Sequence, residues 1–514
     1  MGGGLLQLVA YGAQDAYITG NPHITFWKVL YKRHTNFAME AFRVNFTGSP
    51  TYGQRVVAVV NRNADLMYKT YLEVQLPDTY TNSVKWSAAW ERRLGYQLLK
   101  KIEVEIGGQI IDTHYGEWLF LWENLTTDFD TSVKMDSMVG GYLGGTETTA
   151  VSCGGRPAIL YIPLQFWFCR NPGLALPLIA LQYHEVRINV TLSPATDLVS
   201  KGDQASVSAA AALLPQLKDM ALYIDYIYLD VDERRRFAQQ SHEYLIDQLQ
   251  YGLQQTITTA SARIDLTLNH PVKELVWVFQ DARKTDCGST LTANMGFTQP
   301  FSYDDIVNRC RLQINGQDRF DERYGDYFWK VQPYQHHTGG AFWPMRSQVI
   351  AQSVTTFTAV CDISGDLLTV TGTPSGSSII NEGALLTLAS YLPPGVVIAA
   401  FGTGNGTTGT YQMSEPAIQN GTSQTVTFTI PNVQYTPHEN PINVYSFALQ
   451  PEEHQPSGTC NFSRIDTTTL VFDSVSANGI ARPTKTTPFN FRIYAVNYNI
   501  FRVMSGMGGL AYSN

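Results

Sequence analysis

The chain has 514 residues and a formal net charge of −8. Its length allows roughly two to four domains, and its acidic balance argues against a protein that coats nucleic acid, because that task requires a basic face. Charged residues make up only 16% of the chain and aromatic residues 12%, which favours a β-rich protein with much of its surface buried against partners. We therefore expect no direct binding to a genome.

Six cysteines are spread along the chain without a CxxC pair. Zinc-binding motifs need closely spaced ligands, so this spacing predicts reduced thiols, no metal and no cofactor. The uninterrupted apolar runs are far shorter than the ~20 residues of a membrane-spanning helix. The sequence therefore predicts no transmembrane segment.

Residues 1–37 form the first predicted element, an N-terminal arm. Glycine and aliphatic residues come first, and positive charge follows only from Lys28 onward. A secretory signal has the reverse order, and the myristoylation motif needs Ser or Thr where Leu6 stands. We therefore expect the arm to dock on protein. Its candidate assembly contacts are Leu5, Leu6, Leu8, Val9 and Tyr11.

Residues 38–231 form the first predicted domain. Apolar and polar residues alternate along 101–106 and again along 185–192, a pattern typical of antiparallel sheets with one buried face. Short helices are predicted in the connections, at 87–100 and 115–124.

Residues 232–253 are predicted to be a linker, and 254–503 the second domain. The linker begins with a charged run at 232–236. Acidic residues directly beside the arginines indicate a helix start that complements the helix dipole, rather than a phosphate-binding patch. The second domain repeats the alternation of the first, and a helix is predicted at 321–332.

The two domains share an internal repeat. The segment IEVEIGGQ at 102–109 recurs as CRLQINGQ at 310–317, and YGEW at 115–118 recurs as YGDY at 324–327. The offset is 208 positions in the first pair and 209 in the second. Each copy begins with a strand that ends in a tight turn, where Gly and Asn readily adopt positive φ. The repeat predicts a tandem duplication.

The predicted fold class is all-β, with two tandem eight-stranded antiparallel jelly rolls and short helices in the connections. A domain of roughly 200 residues suits a jelly roll better than an immunoglobulin-like sandwich of ~100 residues. The second roll is too long by a β-rich insertion at 351–437, which is rich in Thr, Gly and Ser but keeps its apolar residues. A C-terminal tail is predicted at 504–514.

No set of residues predicts catalysis, so we expect a protein that is not an enzyme. The GxGxxG match at Gly404, Gly406 and Gly409 lacks the following helix and the acidic residue of a dinucleotide site. His336 and His337 would point to opposite faces of a strand, and no carboxylate or cysteine partners them in the sequence. They are predicted to be a solvated loop pair.

Several sequence blocks carry a resemblance to a known family. They lie at 5–15, 19–22, 31–37, 176–186, 455–466 and 497–513, and so run from end to end of the chain. In them the chain closely resembles the major capsid proteins of nucleocytoplasmic large DNA viruses, the phycodnavirus and mimivirus-like group. The insertion at 351–437 departs from the shorter members of that family.

The resemblance implies a structural role. Family members have a double jelly roll, and their homotrimers form pseudo-hexagonal capsomers that tile the icosahedral shell of a large double-stranded DNA virus. Implied partners are neighbouring capsomers, penton and minor capsid proteins and, at the capsomer base, the internal viral membrane. The implied location is the outer capsid of the virion, after synthesis in the host cytoplasm. The connections at one end of a jelly roll point together, and in this family that end faces outward. We therefore expect the insertion at 351–437 to form an outward-facing tower.

The alternative function is a secreted or surface β-sandwich protein that binds carbohydrate. Such a protein is expected to carry a signal peptide, paired cysteines and calcium or aromatic binding sites. None of these features is recognisable in the sequence.

Overall fold

The computed structural model describes residues 7–22, 33–77, 80–81, 84–85, 89–91, 93–141, 151–152, 156–157, 159–200, 216–285, 301–339, 355–375, 380, 385–388, 391–392, 396, 398–401, 403, 408–413, 416–430, 441–474, 483 and 488–512. Strands dominate these ranges, and short helices occupy the connections. The predicted all-β class is therefore confirmed.

The first half contains strands β1 to β15. They are β1 (Phe37–Thr47), β2 (Arg55–Val59), β3 (Leu66–Gln75), β4 (Tyr80–Thr81), β5 (Val84–Lys85), β6 (Ala89–Trp90), β7 (Leu99–Ile106), β8 (Gln109–His114), β9 (Val151–Ser152), β10 (Arg156–Pro157), β11 (Ile159–Pro163), β12 (Leu176–Pro177), β13 (Val186–Leu192), β14 (Val199–Ser200) and β15 (Asp219–Leu229).

Two antiparallel layers form the first roll. Sheet 1A has the order β11-β3-β15-β1 and sheet 1B the order β2-β13-β7-β8. The long strand β1 joins them, because its Phe37–Asn45 part pairs with β15 and its last residues pair with β2. The inward side chains of both layers form one hydrophobic cluster, in which Val104, Leu72 and Ile188 are fully buried.

The second half contains strands β16 to β32. They are β16 (His242–Ile257), β17 (Ser261–Asp265), β18 (Pro271–Asp281), β19 (Val307–Ile314), β20 (Gln317–Asp318), β21 (Arg323–Tyr324), β22 (Thr355–Ser364), β23 (Leu367–Val370), β24 (Leu385–Thr387), β25 (Ile398–Phe401), β26 (Gly409–Met413), β27 (Gly421–Ile430), β28 (Asn443–Ser446), β29 (Cys460–Asn461), β30 (Thr468–Ser474), β31 (Phe489–Met504) and β32 (Met507–Leu510).

The second roll repeats the strand order of the first. Sheet 2A has the order β28-β18-β31-β16, and sheet 2B the order β17-β30-β19-β20. Numbered within each half by their place in the chain, these eight strands run 6-3-8-1 and 2-7-4-5, as the corresponding strands of the first half do. Short strands are added at the edges, where β29 pairs with β18 and β21 with β19. The same order in both halves is the structural form of the predicted duplication.

The insertion is a β unit of its own. Its sheet has the order β24-β27-β22-β23-β26-β25. Phe357, Leu368 and Phe428 belong to its hydrophobic cluster, which is separate from the clusters of the two rolls. Its first and last strands, β22 and β27, are paired from Thr355↔Ile430 onward.

The helices lie in the connections, with bounds that differ in part from those predicted. The α-helices are Asp15–Thr19, Leu94–Leu98, Gly116–Thr126, Phe129–Met138, Trp167–Arg170, Val231–Gln239 and Gln332–His336, with a π-helical turn at Tyr327–Val331. Single 3₁₀ turns lie at Pro172–Leu174, Ala195–Leu198, Ala282–Lys284 and Phe462–Arg464. The helix predicted at 115–124 is present. The one predicted at 87–100 shrinks to Leu94–Leu98, because Ala89–Trp90 pairs with β14.

The segments between and after the rolls contain regular elements. Within 232–253, the helix Val231–Gln239 is followed by the first part of β16. Within 504–514, β32 pairs with β31 through a turn at Ser505 and Gly506, both of which have positive φ. The long strands β16 and β31 therefore extend through positions that composition alone marks as linker and tail.

Candidate assembly surfaces

The described part of the N-terminal arm exposes its apolar side chains. Leu8 and Val9 are each 80% exposed and Tyr11 is 62% exposed. Leu5 and Leu6 lie outside the described residues. Local hydrogen bonds shape the arm: Gly12 N donates to Asp15 Oδ2 at 2.8 Å, and Thr19 Oγ1 donates to the Asp15 carbonyl at 2.6 Å. Exposure leaves Leu8, Val9 and Tyr11 available for contact with a partner, and their role in assembly stays a prediction.

The internal repeat builds the same local structure twice. In the turn of each copy both central residues have positive φ: Gly107 and Gly108 in the first copy, Asn315 and Gly316 in the second. Gly116 then packs against the beginning of β7, and Gly325 packs against the beginning of β19. A Cβ at Gly116 would lie 2.5 Å from the Leu99 carbonyl oxygen, and one at Gly325 would lie 2.2 Å from that of Val307.

In the first copy, the element after this glycine is the helix Gly116–Thr126, which packs against sheet 2A of the second roll. Trp118 is fully buried and its ring lies 5.4 Å from that of Tyr494 on β31. Tyr115 lies 4.9 Å from Tyr251 on β16. The cluster of the first roll accordingly extends to outward-facing residues of sheet 2A, namely Ile246, Val276, Val278, Tyr494 and Val496.

A buried polar network centred on Glu117 joins the two rolls. Glu117 Oε1 accepts from Arg492 Nε at 2.9 Å and from Tyr303 OH at 3.1 Å. Its Oε2 accepts from Tyr494 OH at 2.5 Å. Burial alone would lower the pKa of Arg492, but the nearby Glu117 carboxylate outweighs it and the pKa is raised. Arg492 therefore stays charged and donates a charge-assisted hydrogen bond to Glu117 across the boundary between the rolls.

A second cluster of buried polar side chains lies near the end of the helix Gly116–Thr126. It includes His337, so the prediction of a solvated histidine pair is wrong for this residue. His337 is buried, with Nε2 at 3.0 Å from Glu274 Oε2 and Nδ1 at 2.9 Å from Glu452 Oε1. Desolvation alone would lower the pKa of His337, but the two carboxylates raise it to about 9. The sequence did not reveal these partners, because both are distant along the chain.

The group also ties the two rolls together. Thr338 Oγ1 donates to Glu452 Oε2 at 2.6 Å, and its geometry also fits a bond to the Thr126 carbonyl at 3.1 Å. Gly339 N donates to the Leu125 carbonyl at 2.8 Å. The connection of the second roll is thereby held against the end of the helix Gly116–Thr126.

The outer face of sheet 1A carries a row of tyrosines. The rings of Tyr223 and Tyr71 stack at 5.3 Å, and those of Tyr71 and Tyr161 lie edge to face at 6.2 Å. All three are half-buried. Phe37 and Met39 continue the same face along β1 and are largely exposed. This face corresponds to the face of sheet 2A that the first roll covers.

The other candidate motifs do not form a chemical site. Within the described ranges, no three metal-ligating side chains lie together, and Cys169, Cys310, Cys361 and Cys460 are free. No helix there has the length and apolarity to cross a membrane. Gly404 and Gly406 lie outside the described residues. In the charged run at 232–236, Arg234 Nε pairs with Asp65 Oδ1 at 3.0 Å.

Comparison with known proteins places the chain in a family. The family model described as "Major capsid protein N-terminus" matches residues 25–230. The family model described as "Large eukaryotic DNA virus major capsid protein" matches residues 233–346 and 424–509. The chain belongs to this family of major capsid proteins. The second match skips 347–423, which covers most of the inserted β unit.

Relatives and solved structures agree with this placement. The major capsid protein of Pyramimonas orientalis virus is 42% identical over the full length of both chains, and that of Paramecium bursaria Chlorella virus 1 is 34% identical, also over full length. The solved structure of PBCV-1 VP54 has 30% identity and a TM-score of 0.64, covering 95% of this chain and 100% of the other. The Faustovirus major capsid protein, 12% identical, shares the fold with a TM-score of 0.59.

The chain is thus a structural protein of the virion capsid and not an enzyme. The alternative of a carbohydrate-binding β-sandwich protein is not supported, because these relatives bear the capsid protein name. The chain associates with itself and its neighbours in the capsid, as a major capsid protein must.

Proposed function

We propose that three copies of this chain form a pseudo-hexagonal capsomer that tiles an icosahedral shell. The observation that carries the proposal is the pair of rolls with the same strand order in one chain. Three such chains place six similar rolls around a three-fold axis, which gives a nearly six-fold outline. The rolls are firmly joined through Glu117 and Arg492, so each chain contributes its two rolls as a unit.

The proposal assigns a role to each further element. The arm, through Leu5, Leu6, Leu8, Val9 and Tyr11, would bind neighbouring capsomers, penton or minor capsid proteins at the capsomer base, next to an internal viral membrane. The inserted β unit would project outward as a tower, since its separate core does not contribute to either roll. The protein would be made in the host cytoplasm and would not bind the genome directly.

The test is the mass and outline of the purified protein. We expect mass photometry to give the mass of a trimer, unchanged by reductant because the described cysteines are free. Negative-stain images should show hexagonal particles. A monomer under all assembly conditions would refute the proposal.

A further inference from the structure

One interface between rolls is already present within a single chain. The connection that follows the repeat in the first roll, the helix Gly116–Thr126, covers the outer face of sheet 2A. The second roll has the same repeat and therefore its own version of this connection. It comprises the turn Tyr327–Val331 and the helix Gln332–His336.

The matching residues of the two connections differ sharply in exposure. Glu117 has a side chain only 16% exposed, whereas its counterpart Asp326 is 58% exposed. Leu125 is fully buried and its counterpart Tyr334 is 86% exposed. Tyr324 is likewise 63% exposed. In one chain, these positions of the second connection are thus exposed, whereas the matching positions of the first connection are buried against sheet 2A.

The face that would receive this connection is exposed at its β1 edge in one chain, whereas Phe237 of the helix Val231–Gln239 packs over Ile227 of the same face. Sheet 1A corresponds in strand order to sheet 2A. The outward residues of sheet 2A are covered, with Tyr494 1% exposed, but Phe37 on sheet 1A is 57% exposed. Large exposed apolar side chains grouped on one face mark an interaction site.

We infer that the outer face of sheet 1A binds the connection Tyr324–Tyr334 of a second copy of this chain. The contact is head to tail: each copy offers the sheet face on one side and the connection on the other. If the intrachain contact is repeated between copies, first and second rolls alternate around a ring. Three copies, with six rolls, close this ring if each roll is turned by about 60° from the one before it. The inference rests on the proposed trimer and names the surfaces that form it.

The polar chemistry also fits. In the intrachain contact, the Glu117 carboxylate accepts from one arginine and two tyrosines. Asp326, its counterpart, pairs with Lys330 Nζ at 2.9 Å and shares a hydrogen bond with Asp305, both within the second roll. The face of sheet 1A carries the same donor types in Tyr71, Tyr223 and Arg43, of which Arg43 pairs with Asp219 at 2.6 Å in one chain.

The test uses three substitutions to the same residue. Tyr334→Arg alters the connection. Ala41→Arg adds bulk to the outer face of sheet 1A, beside Asp225, the residue on β15 that pairs with Ala41 on β1. Ile418→Arg, at a 66% exposed position of the inserted unit, is the matched control. We expect each of the first two to be a monomer in mass photometry at concentrations where the wild type and the control are trimers.

Mixing the two interface variants gives the sharper result. One intact contact remains possible between them, so the mixture should yield a one-to-one dimer and no trimer. If both single variants stay trimeric, the inference is overturned while the proposed trimer stands. If the wild type is itself monomeric, the proposed function fails first.

A second measurement covers the possibility that a substitution impairs folding. A chain with Tyr334→Cys and Ala41→Cys should be linked between copies, up to covalent trimers, by a short thiol-reactive cross-linker. A chain with Tyr334→Cys and Ile418→Cys should not. Absence of cross-links in the first chain, with the wild type trimeric, would also overturn the inference.

Discussion

Replacing Glu117 by Gln tests what holds the two rolls together. The amide keeps the shape of the side chain but removes the charge that faces Arg492. The two side chains are 16% and 10% exposed, so this is a largely buried pair. Removing one partner of a buried pair costs about 3 to 5 kcal/mol, because the other charge is left uncompensated.

The chain offers a control pair whose arginine lies on the same strand as Arg492, namely β31. Glu243 on β16 pairs with Arg502 on β31 at 2.8 Å, with side chains 56% and 48% exposed. An exposed pair of this kind contributes about 0.2 to 1 kcal/mol. Glu243→Gln should therefore lower the free energy of unfolding several times less than Glu117→Gln.

The assay is unfolding in urea at fixed protein concentration, followed by tryptophan fluorescence. A chain of several domains need not unfold in two states, so the midpoint shift and the number of transitions are compared. We expect Glu117→Gln to lower the midpoint clearly, and Glu117→Gln with Arg492→Gln to cost less than the sum of the single changes. Equal shifts for Glu117→Gln and Glu243→Gln would refute the reasoning.

Three further predictions concern pH, the insertion and the arm. Because the pKa of His337 is raised from 6.5 to about 9, its stabilising contribution is full below pH 6.5 and is lost as pH rises through 9; the melting temperature should fall over this range by more than that of His337→Gln. Replacing 355–430 by a short Gly/Ser linker should keep the trimer and lower the particle's height in electron micrographs, since Thr355 and Ile430 are paired; loss of the trimer would contradict this. Deleting residues 2–12 should leave the melting temperature and the trimer unchanged but impair assembly of capsomers into shells, and an unfolded product would place the arm in the core.

The sequence predicted the duplication and its turn chemistry because these depend on local residues. Alternating apolar residues located strands such as β7 and β13, and the Gly-Gly and Asn-Gly pairs do adopt positive φ. The helix after the first copy was predicted from its aromatic and aliphatic residues. Local propensity and tertiary structure agree at these positions.

The contacts between rolls could not be predicted in the same way. Glu117 lay inside the recognised repeat, but its partners Tyr303 and Arg492 are distant along the chain and carry no motif. The helix Phe129–Met138 was missed because it has little apolar periodicity. The sequence held one signal for the interface. Glu117 and Asp326 occupy equivalent positions of the repeat, so an interface contact of one predicts an interface contact of the other.

The position of β31 has a consequence for biosynthesis. This strand lies between β16 and β18 in the middle of sheet 2A, yet it follows both of them by more than 200 residues in the chain. The turn that leads from β31 into β32 is held by the first roll, where Tyr183 N donates to the Gly506 carbonyl at 2.9 Å. A ribosome must therefore complete β31 before the second roll can close, and a product terminated before this strand lacks the strand that joins β16 to β18. Completion of β31 is thus also a condition for joining the rolls, because this strand carries Arg492 and Tyr494, which bind Glu117.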